Sequence, residues 1–194
     1  TMTLTKRMSK GWMAQATYTL ARGTDNAPLT GTYVVGSGDD RVSDPSDIDR
    51  DLGVTPFNQT HTLAVSTVIA PQVGGDGLGA SLLNNNQLGI ILQANSGLPF
   101  NIRANTDLNK DGLLNDRPIG IARNTGRLGT VLNVDLRYSR FIPISGLRKL
   151  ELLAEAKNLF NRENVSGVNR VVAVDSAGNP TASLPAVDAF PPTS

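Results

Sequence analysis

The sequence predicts an all-β fold of antiparallel, up-and-down strands, and three observations support that prediction. Apolar and polar residues alternate along several segments of about ten residues, as expected for strands with one apolar face. Glycine, asparagine, threonine and serine are abundant, which favours strands and turns over helices. The connections between the alternating segments are short at one end of the predicted sheet and long at the other.

The predicted strands follow from this alternation. The clearest is VLNVDLRYSRF at 131–141, where leucine, valine and tyrosine alternate with asparagine, aspartate, arginine and serine. The segment KLELLAEAKNLF at 149–160 also alternates, but its alanine, leucine, glutamate and lysine residues are good helix formers, so local propensity alone favours a helix there. The other strands are predicted near residues 3–9, 11–22, 61–70 and 87–97.

The connections differ in length and composition. Three long ones, polar and rich in Gly, Pro, Asn and Asp, lie at 23–60, 98–129 and 161–194. The short ones are SKG at 9–11 and IPISGLR at 142–148. The link at 71–86 is intermediate in length, and its segment GGDGLG at 74–79 is predicted to be a flexible connection. Long loops on one side and short turns on the other are typical of outer-membrane barrels, whereas a soluble sandwich does not require them. No linker divides residues 1–194, so the chain is treated as one domain.

Composition excludes several functions. Lysine plus arginine (18) nearly balance aspartate plus glutamate (17), so the net charge of +1 gives no reason to expect a nucleic-acid partner. The chain has no cysteine and one histidine, which excludes thiolate and histidine-rich metal sites. No catalytic constellation is visible, so we do not expect an enzyme. No apolar run reaches the ~20 residues of a spanning helix, but a barrel needs only ~10 alternating residues per strand.

The segment DLNKDGLLNDRP at 107–118 is the candidate metal site. Its oxygen-bearing residues have the spacing of the first part of an EF-hand loop, with Gly112 at the sixth position, and Ca²⁺ is the cation that such oxygens favour. Pro118 occupies the twelfth position, where a bidentate glutamate is expected, which predicts weak affinity. Alternatively, these side chains only cap backbone turns. The candidate ligands are Asp107, Asn109, Asp111, the Leu113 carbonyl and Asn115.

Two further features have competing interpretations. The acidic stretch DDRVSDPSDIDRD at 39–51 is predicted to be a solvated loop in preference to a cation site, and His61, which follows it, is expected to begin a strand at a barrel rim. Trp12, Tyr18 and Tyr138 lie on the apolar side of their strands, where they form either an aromatic belt at a membrane interface or part of a core between two sheets.

Several segments together resemble the C-terminal barrel portion of TonB-dependent outer-membrane receptors. The resemblance is to the subgroup that carries a carboxypeptidase-regulatory-like domain at the N-terminus. It extends over roughly residues 1–165. The matching segments are YTLARGTDN at 18–26, DIDRDLGVTPFNQTHTLAVSTVIAP at 47–71, SGLPFNI at 96–102, DLNKDGLLNDRP at 107–118, NVDLRYSR at 133–140 and LELLAEAKNLFNREN at 150–164.

The resemblance implies a sixth strand near 149–159 and places the short turns in the periplasm and the long loops outside. It implies the outer membrane of a Gram-negative-type cell as the location, lipid as a neighbour, and uptake of a nutrient ligand. Energy would come from an inner-membrane coupling complex acting through regions that this chain lacks. Because about six strands do not close a barrel, we expect a fragment truncated at both ends. The alternative is a secreted calcium-binding β-sandwich that serves as an adhesion or carbohydrate-binding module.

Overall fold

The computed structural model describes residues 1–26 and 41–181, and β-strands dominate them. The only α-helix in those ranges is α1 (Leu78–Leu83), and a single 3-10 turn spans Ile48–Asp51. In chain order the strands are β1 (Met2–Ser9), β2 (Trp12–Leu20), β3 (Thr24–Asp25), β4 (Gly53–Val54), β5 (His61–Ile69), β6 (Asn86–Asn95), β7 (Pro99–Phe100), β8 (Arg103–Ala104), β9 (Gly126–Arg127), β10 (Val131–Ser145), β11 (Arg148–Ala156) and β12 (Val171–Val172).

The longest strands form one six-stranded sheet in the order β1-β2-β5-β6-β10-β11. Every neighbouring pair is antiparallel, and each long strand pairs with the next long strand along the chain. The prediction of an all-β, antiparallel, up-and-down fold is therefore confirmed. These strands and their short connections, residues 1–20, 61–95 and 131–164, form one compact unit, which we call the sheet unit.

The register of the sheet separates an apolar face from a polar one. Trp12 lies opposite Ile69, which lies opposite Leu88, which in turn lies opposite Tyr138. A row of the other face runs through Gln15, Ser66, Ile91 and Asp135. Because the side-chain period of a strand is two, the alternation in the sequence becomes two continuous faces across the sheet.

The segment with strong helix propensity is a strand. Arg148–Ala156 pairs with β10 at nine positions from Leu136 to Ser145, so tertiary pairing overrides local preference. Strand β10 also runs further than the predicted 131–141, through Pro143. Its pairing with β6 ends at Arg140, so the missing N–H of Pro143 costs the ladder with β6 nothing.

The two short turns and the intermediate link between β5 and β6 lie at one end of the sheet. A two-residue turn at Lys10 (φ 51°) and Gly11 (φ 79°) joins β1 to β2, and a turn through Gly146 (φ 56°) joins β10 to β11. Positive φ at these positions gives the twist that tight hairpins need. The link between β5 and β6, in which residues 74–79 were predicted to be a flexible connection, contains helix α1.

The long connections form a second compact unit, which we call the loop unit, from residues 21–60, 96–130 and 165–194. Residues 27–40 and 182–194 of it lie outside the described part of the chain. Three two-stranded pairs, β3–β4, β7–β9 and β8–β12, organise this unit. Its apolar core is small, built on Phe100 and Ile102, and many of its other buried side chains are polar or charged.

Candidate functional site

The predicted calcium loop is tightly hydrogen-bonded to itself. Asp107 accepts the N–H groups of Lys110 (2.6 Å) and Gly112 (2.8 Å), and Gly112 has φ 85°, a value that glycine adopts freely. Asp111 Oδ1 accepts the N–H of Leu113 at 2.8 Å, and Asn109 Oδ1 accepts the N–H of Asp111 at 3.0 Å. The alternating oxygens therefore cap their own backbone, as polar side chains do in turns.

The end of the same loop is buried and incompletely satisfied. Asp116 is fully buried, and its Oδ2 accepts the N–H groups of Leu108 (2.6 Å) and Asn109 (3.2 Å). Its Oδ1 and the Oδ1 of Asn115 are buried and have no hydrogen-bond partner. An acceptor oxygen that is buried without a donor is costly, so both atoms favour a nearby cation or water.

The carboxylates do not form a cluster that would hold a metal without other donors. Among residues 1–26 and 41–181, no group of three or more His, Cys, Asp or Glu is arranged around a common point. A cation at Asp107, Asn109, Asp111, Leu113 and Asn115 would thus depend on amide and carbonyl oxygens as well as carboxylates, which suits Ca²⁺ better than transition metals.

A buried ion pair anchors this loop to the preceding long loop. Arg117 Nη1 lies 2.7 Å from Asp51 Oδ1 and 2.6 Å from the hydroxyl of Ser43, and its Nη2 donates to the Arg50 carbonyl at 2.5 Å. Both charged side chains are almost fully buried. Asn109 Nδ2 adds a hydrogen bond of 2.9 Å to the Ser43 carbonyl, so residues 43–51 and 109–117 form one network.

The pKa of Asp51 reflects opposing influences. Burial raises it, but the hydroxyl and N–H of Ser43 and the guanidinium of Arg117 outweigh burial, so the pKa of Asp51 lies below its ordinary value of 3.8. The Ser46 hydroxyl and N–H likewise lower the pKa of Asp44, and the bonds from Asn179 lower that of Asp175. These carboxylates therefore stay ionised at neutral pH.

The acidic stretch 39–51 is only in part the solvated loop that was predicted. Residues 39 and 40 lie outside the described part of the chain. Asp44 accepts hydrogen bonds from the N–H and the hydroxyl of Ser46. Asp51 is buried, contrary to that prediction, because Arg117 lies against it from a segment 66 residues further along the chain. No signal at Asp51 itself could have identified a partner at that separation.

A second set of polar contacts ties the loop unit together. Arg123 pairs with the carboxylate of Asp25, and Asn124 Nδ2 donates to the Val54 carbonyl at 2.6 Å. Arg127 Nη1 donates to the Asn58 carbonyl at 3.0 Å. These arginines were not singled out from the sequence, because arginine in a polar loop is ordinarily solvated.

The polar face of the sheet unit carries charges of both signs. Arg137 lies 3.4 Å from Glu155 and 3.8 Å from Glu151, and all three side chains are well exposed. Arg137, Glu155 and Asp135 border a shallow hollow of about 450 Å³. Exposed ion pairs of this kind contribute little stability, but they keep the face hydrated.

The apolar face carries the predicted aromatic residues at two levels. Trp12 and Tyr138 share one row near the short turns, whereas Tyr18 lies near the opposite end, where its hydroxyl is 2.7 Å from Nδ1 of His61. His61 begins strand β5, as expected. All three aromatic side chains are between a third and a half exposed, which leaves their rings available to lipid.

No helix in the described ranges has the length and apolar composition needed to cross a bilayer. In a comparison with known protein families, residues 1–130 fit a family model described as an outer membrane beta barrel domain. Neither the curated proteins nor the solved structures give a significant match.

The matched segment covers 130 of the 194 residues and extends from β1 to the end of the second long connection. The predicted location in the outer membrane is therefore confirmed. The antiparallel sheet, with one apolar and one polar face, is the architecture that such a family requires. The chain belongs to the outer membrane beta barrel domain family.

Proposed function

We propose that this chain is part of the barrel of a TonB-dependent receptor that imports a nutrient ligand. The proposal is supported by family membership, by the six segments that resemble such receptors in order and spacing, and by the open sheet. In this role the apolar face contacts outer-membrane lipid and the polar face lines the lumen. The chain has no catalytic part in the process, and no nucleic acid is involved.

The observation that carries the proposal is that the long loops are folded segments. The strand directions send the connections β2–β5 and β6–β10, and the segment after β11, to the end opposite the short turns. In the loop unit these segments pack through buried contacts such as Arg117–Asp51, and are not independent coils. Preorganised loops lower the entropy cost of binding, which is what capture of a large ligand needs.

Energy coupling is the part of the proposal that requires other regions of the protein. A receptor of this kind opens through a plug domain that an inner-membrane complex pulls on. The gene that encodes this chain should therefore encode a plug domain with an energy-coupling segment upstream, and further strands downstream. Finding an unrelated upstream domain would contradict the proposal, although membership of the barrel family would stand.

A functional test compares uptake with and without energy coupling. Cells with the intact gene, cells with the gene deleted, and cells lacking the energy-coupling protein are grown on limiting iron chelates, cobalamin or oligosaccharides. The expected result is a shared growth defect of both mutants on at least one nutrient. A defect of the gene deletion that is independent of coupling would indicate a passive pore and overturn the proposal.

We also propose that Ca²⁺ stabilises the outer loop at Asp107, Asn109, Asp111, Leu113 and Asn115. The observation in favour is the pair of buried, unpartnered oxygens on Asn115 and Asp116, beside side chains with EF-hand-like spacing. The same loop is also a self-capped turn, so its folding does not depend on the ion. The sandwich alternative needs two facing sheets, and the described ranges contain one six-stranded sheet with three two-stranded pairs.

The calcium proposal is tested by the melting temperature of the protein with Ca²⁺ and with chelator. We expect Ca²⁺ to stabilise the protein by about 1–3 kcal/mol at concentrations up to about a hundredfold above its Kd. The double variant Asp107→Ala, Asp111→Ala should abolish the difference, and Asp76→Ala, an exposed carboxylate in the sheet unit, should leave it unchanged. An equal melting temperature in both buffers for the native sequence would reduce the loop to a turn.

A further inference from the structure

The short-turn end of the sheet unit carries unpaired positive charge. Four exposed cations flank its two hairpin turns, and in the described ranges none of them forms an ion pair. Asp76 is the single acidic residue among residues 7–11, 70–85 and 143–149. We call this surface the short-turn rim, and its cations are Arg7, Lys10, Arg148 and Lys149.

The same rim exposes leucine side chains. Leu78 is 84% exposed and Leu82 is 71% exposed, both on helix α1, and Leu147 at the β10–β11 turn is 101% exposed. Large apolar side chains that are this exposed beside unpaired cations suit a surface that lies at a lipid headgroup boundary.

Helix α1 is held in this position by polar contacts that leave its leucines exposed. Arg140 donates to the carbonyls of Ser81 (2.9 Å), Leu82 (3.2 Å) and Asn84 (2.8 Å). Its charge is therefore used at the C-terminal end of the helix, where a cation is favourable. Asn86 Nδ2 donates to the carbonyls of Leu82, Leu83 and Asn84, so the helix is a fixed part of the rim.

A row of aromatic residues on the apolar face marks the depth of the rim. Trp12 and Tyr138 share that row, and the ammonium of Lys6 lies 3.9 Å from the centre of the Trp12 ring. Lys6 also donates to the hydroxyl of Ser9 at 2.9 Å, so it extends from the apolar face towards the turn. Tryptophan and tyrosine favour the headgroup level of a bilayer.

From this geometry we infer that the short-turn rim binds the phosphates of anionic phospholipids in the facing leaflet. In an outer-membrane barrel short turns face the periplasm, so that leaflet is the inner one, which is built from glycerophospholipids. The two turns are separated by four strand spacings, about 19 Å, so each contacts a different headgroup, and a single small anion could not bridge them. The leucines would then enter the acyl boundary beneath the phosphates.

Trp12 is the only tryptophan in the chain, so its fluorescence reports on the lipids beside the rim. The chain is reconstituted in mixed vesicles of phosphatidylcholine and phosphatidylglycerol. In one sample the phosphatidylcholine carries acyl chains brominated near the headgroup as a quencher, and in a second sample the phosphatidylglycerol does. We expect phosphatidylglycerol to quench Trp12 with a relative affinity roughly three- to tenfold above that of phosphatidylcholine. The ratio of the two affinities should fall towards one in 1 M salt, where the screening length is about 3 Å.

A charge-matched pair of variants separates the rim from overall charge. Replacing Arg7, Lys10, Arg148 and Lys149 by glutamine should remove the preference. Replacing four other exposed cations by glutamine should leave it intact. The control positions are Arg22, Arg41, Lys110 and Lys157.

Three results would overturn the inference. Equal quenching by the two lipids in the native sequence would show that the rim does not select anionic headgroups, and an equal loss in both variants would show that only net charge matters. The absence of quenching by either lipid would contradict the membrane placement itself. If the rim variant fails to fold, the salt dependence of the native sequence still tests the inference, because a lipid preference that persists in 1 M salt would contradict it.

Discussion

At the scale of single residues, the buried pair of Arg117 and Asp51 is the most consequential contact of the loop unit. Arg117→Met keeps most of the side-chain volume but leaves the Asp51 carboxylate buried without its cation. Breaking such a pair costs about 3–5 kcal/mol, because the remaining charge is uncompensated. We expect the amides of residues 43–54 to lose that much protection in hydrogen exchange.

The matched control is Arg137→Met. Arg137 also pairs with carboxylates, but its side chain is 59% exposed, so its loss should cost less than about 1 kcal/mol. If the two substitutions changed the protection of their own surroundings equally, burial of the Arg117 pair would not be what orders the loops.

The pKa of Asp51 predicts how the loop unit responds to acid. Its folded-state pKa lies below 3.8, the unfolded value, so its contribution to stability is complete above 3.8 and is lost as pH falls through the folded pKa. Asp44 and Asp175 shift in the same direction. Hydrogen exchange of residues 43–54 should therefore stay constant from neutral pH down to about 4, once corrected for intrinsic rates, and rise below it. Loss of protection between pH 7 and 5 would contradict this assignment.

Residue roles were predictable only where the partner is close in sequence. The turn-capping interpretation of Asp107 and Asp111 follows from a ten-residue window, and the structure shows those contacts. The partners Arg117 and Asp51 are 66 residues apart, so each looks like an ordinary solvated charge until the fold brings them together.

At the scale of elements, two backbone segments approach each other closely beside the β7–β9 pair. A Cβ added at Gly97 would clash severely with the backbone carbonyl of Leu128. Gly97→Ala should therefore destabilise the 97–100 and 126–128 pairing by at least about 1–3 kcal/mol. Gly129→Ala, where a Cβ meets nothing within 4 Å, is the control.

The measurement is limited proteolysis or hydrogen exchange of residues 96–130 in both variants. Gly97→Ala should expose this segment, and Gly129→Ala should behave as the native sequence does. Equal protection in the two variants would mean that the segment tolerates separation of its two strands.

The element that sequence reasoning alone misassigned is the strand at 148–156. Its leucine, alanine, glutamate and lysine residues favour a helix locally, and only the pairing partner β10 makes it a strand. The resemblance to receptors implied a strand near 149–159, and the pairing with β10 accounts for it. Helix α1, by contrast, was not predicted, because LGASLL is six residues long and gives too few turns for a periodic signal.

At the scale of the whole molecule, the alternation of apolar and polar residues was enough to predict the sheet. It was not enough to predict the loop unit, whose pairs β3–β4 and β8–β12 have two residues per strand and lie far apart in sequence. A strand of two residues is too short to show an alternation of apolar and polar residues. The sequence therefore predicts which segments cross the membrane, whereas the order of the long loops depends on contacts that only the folded chain reveals.

The central claim is that one face of the sheet contacts lipid and the other contacts water. Because the chain has no cysteine, single cysteines can be placed at will and labelled with a nitroxide. Leu92 and Val134 oppose each other on the apolar face, and Gln93 and Asn133 oppose each other on the polar face.

The most direct measurement is the accessibility of these four labels to oxygen, which partitions into lipid, and to a water-soluble nickel chelate, with the protein in outer-membrane vesicles. The predicted result is strong oxygen accessibility at positions 92 and 134 and strong nickel accessibility at positions 93 and 133. Labels at 92 and 134 that are shielded from both reagents would indicate a dry core between two sheets and would contradict the account.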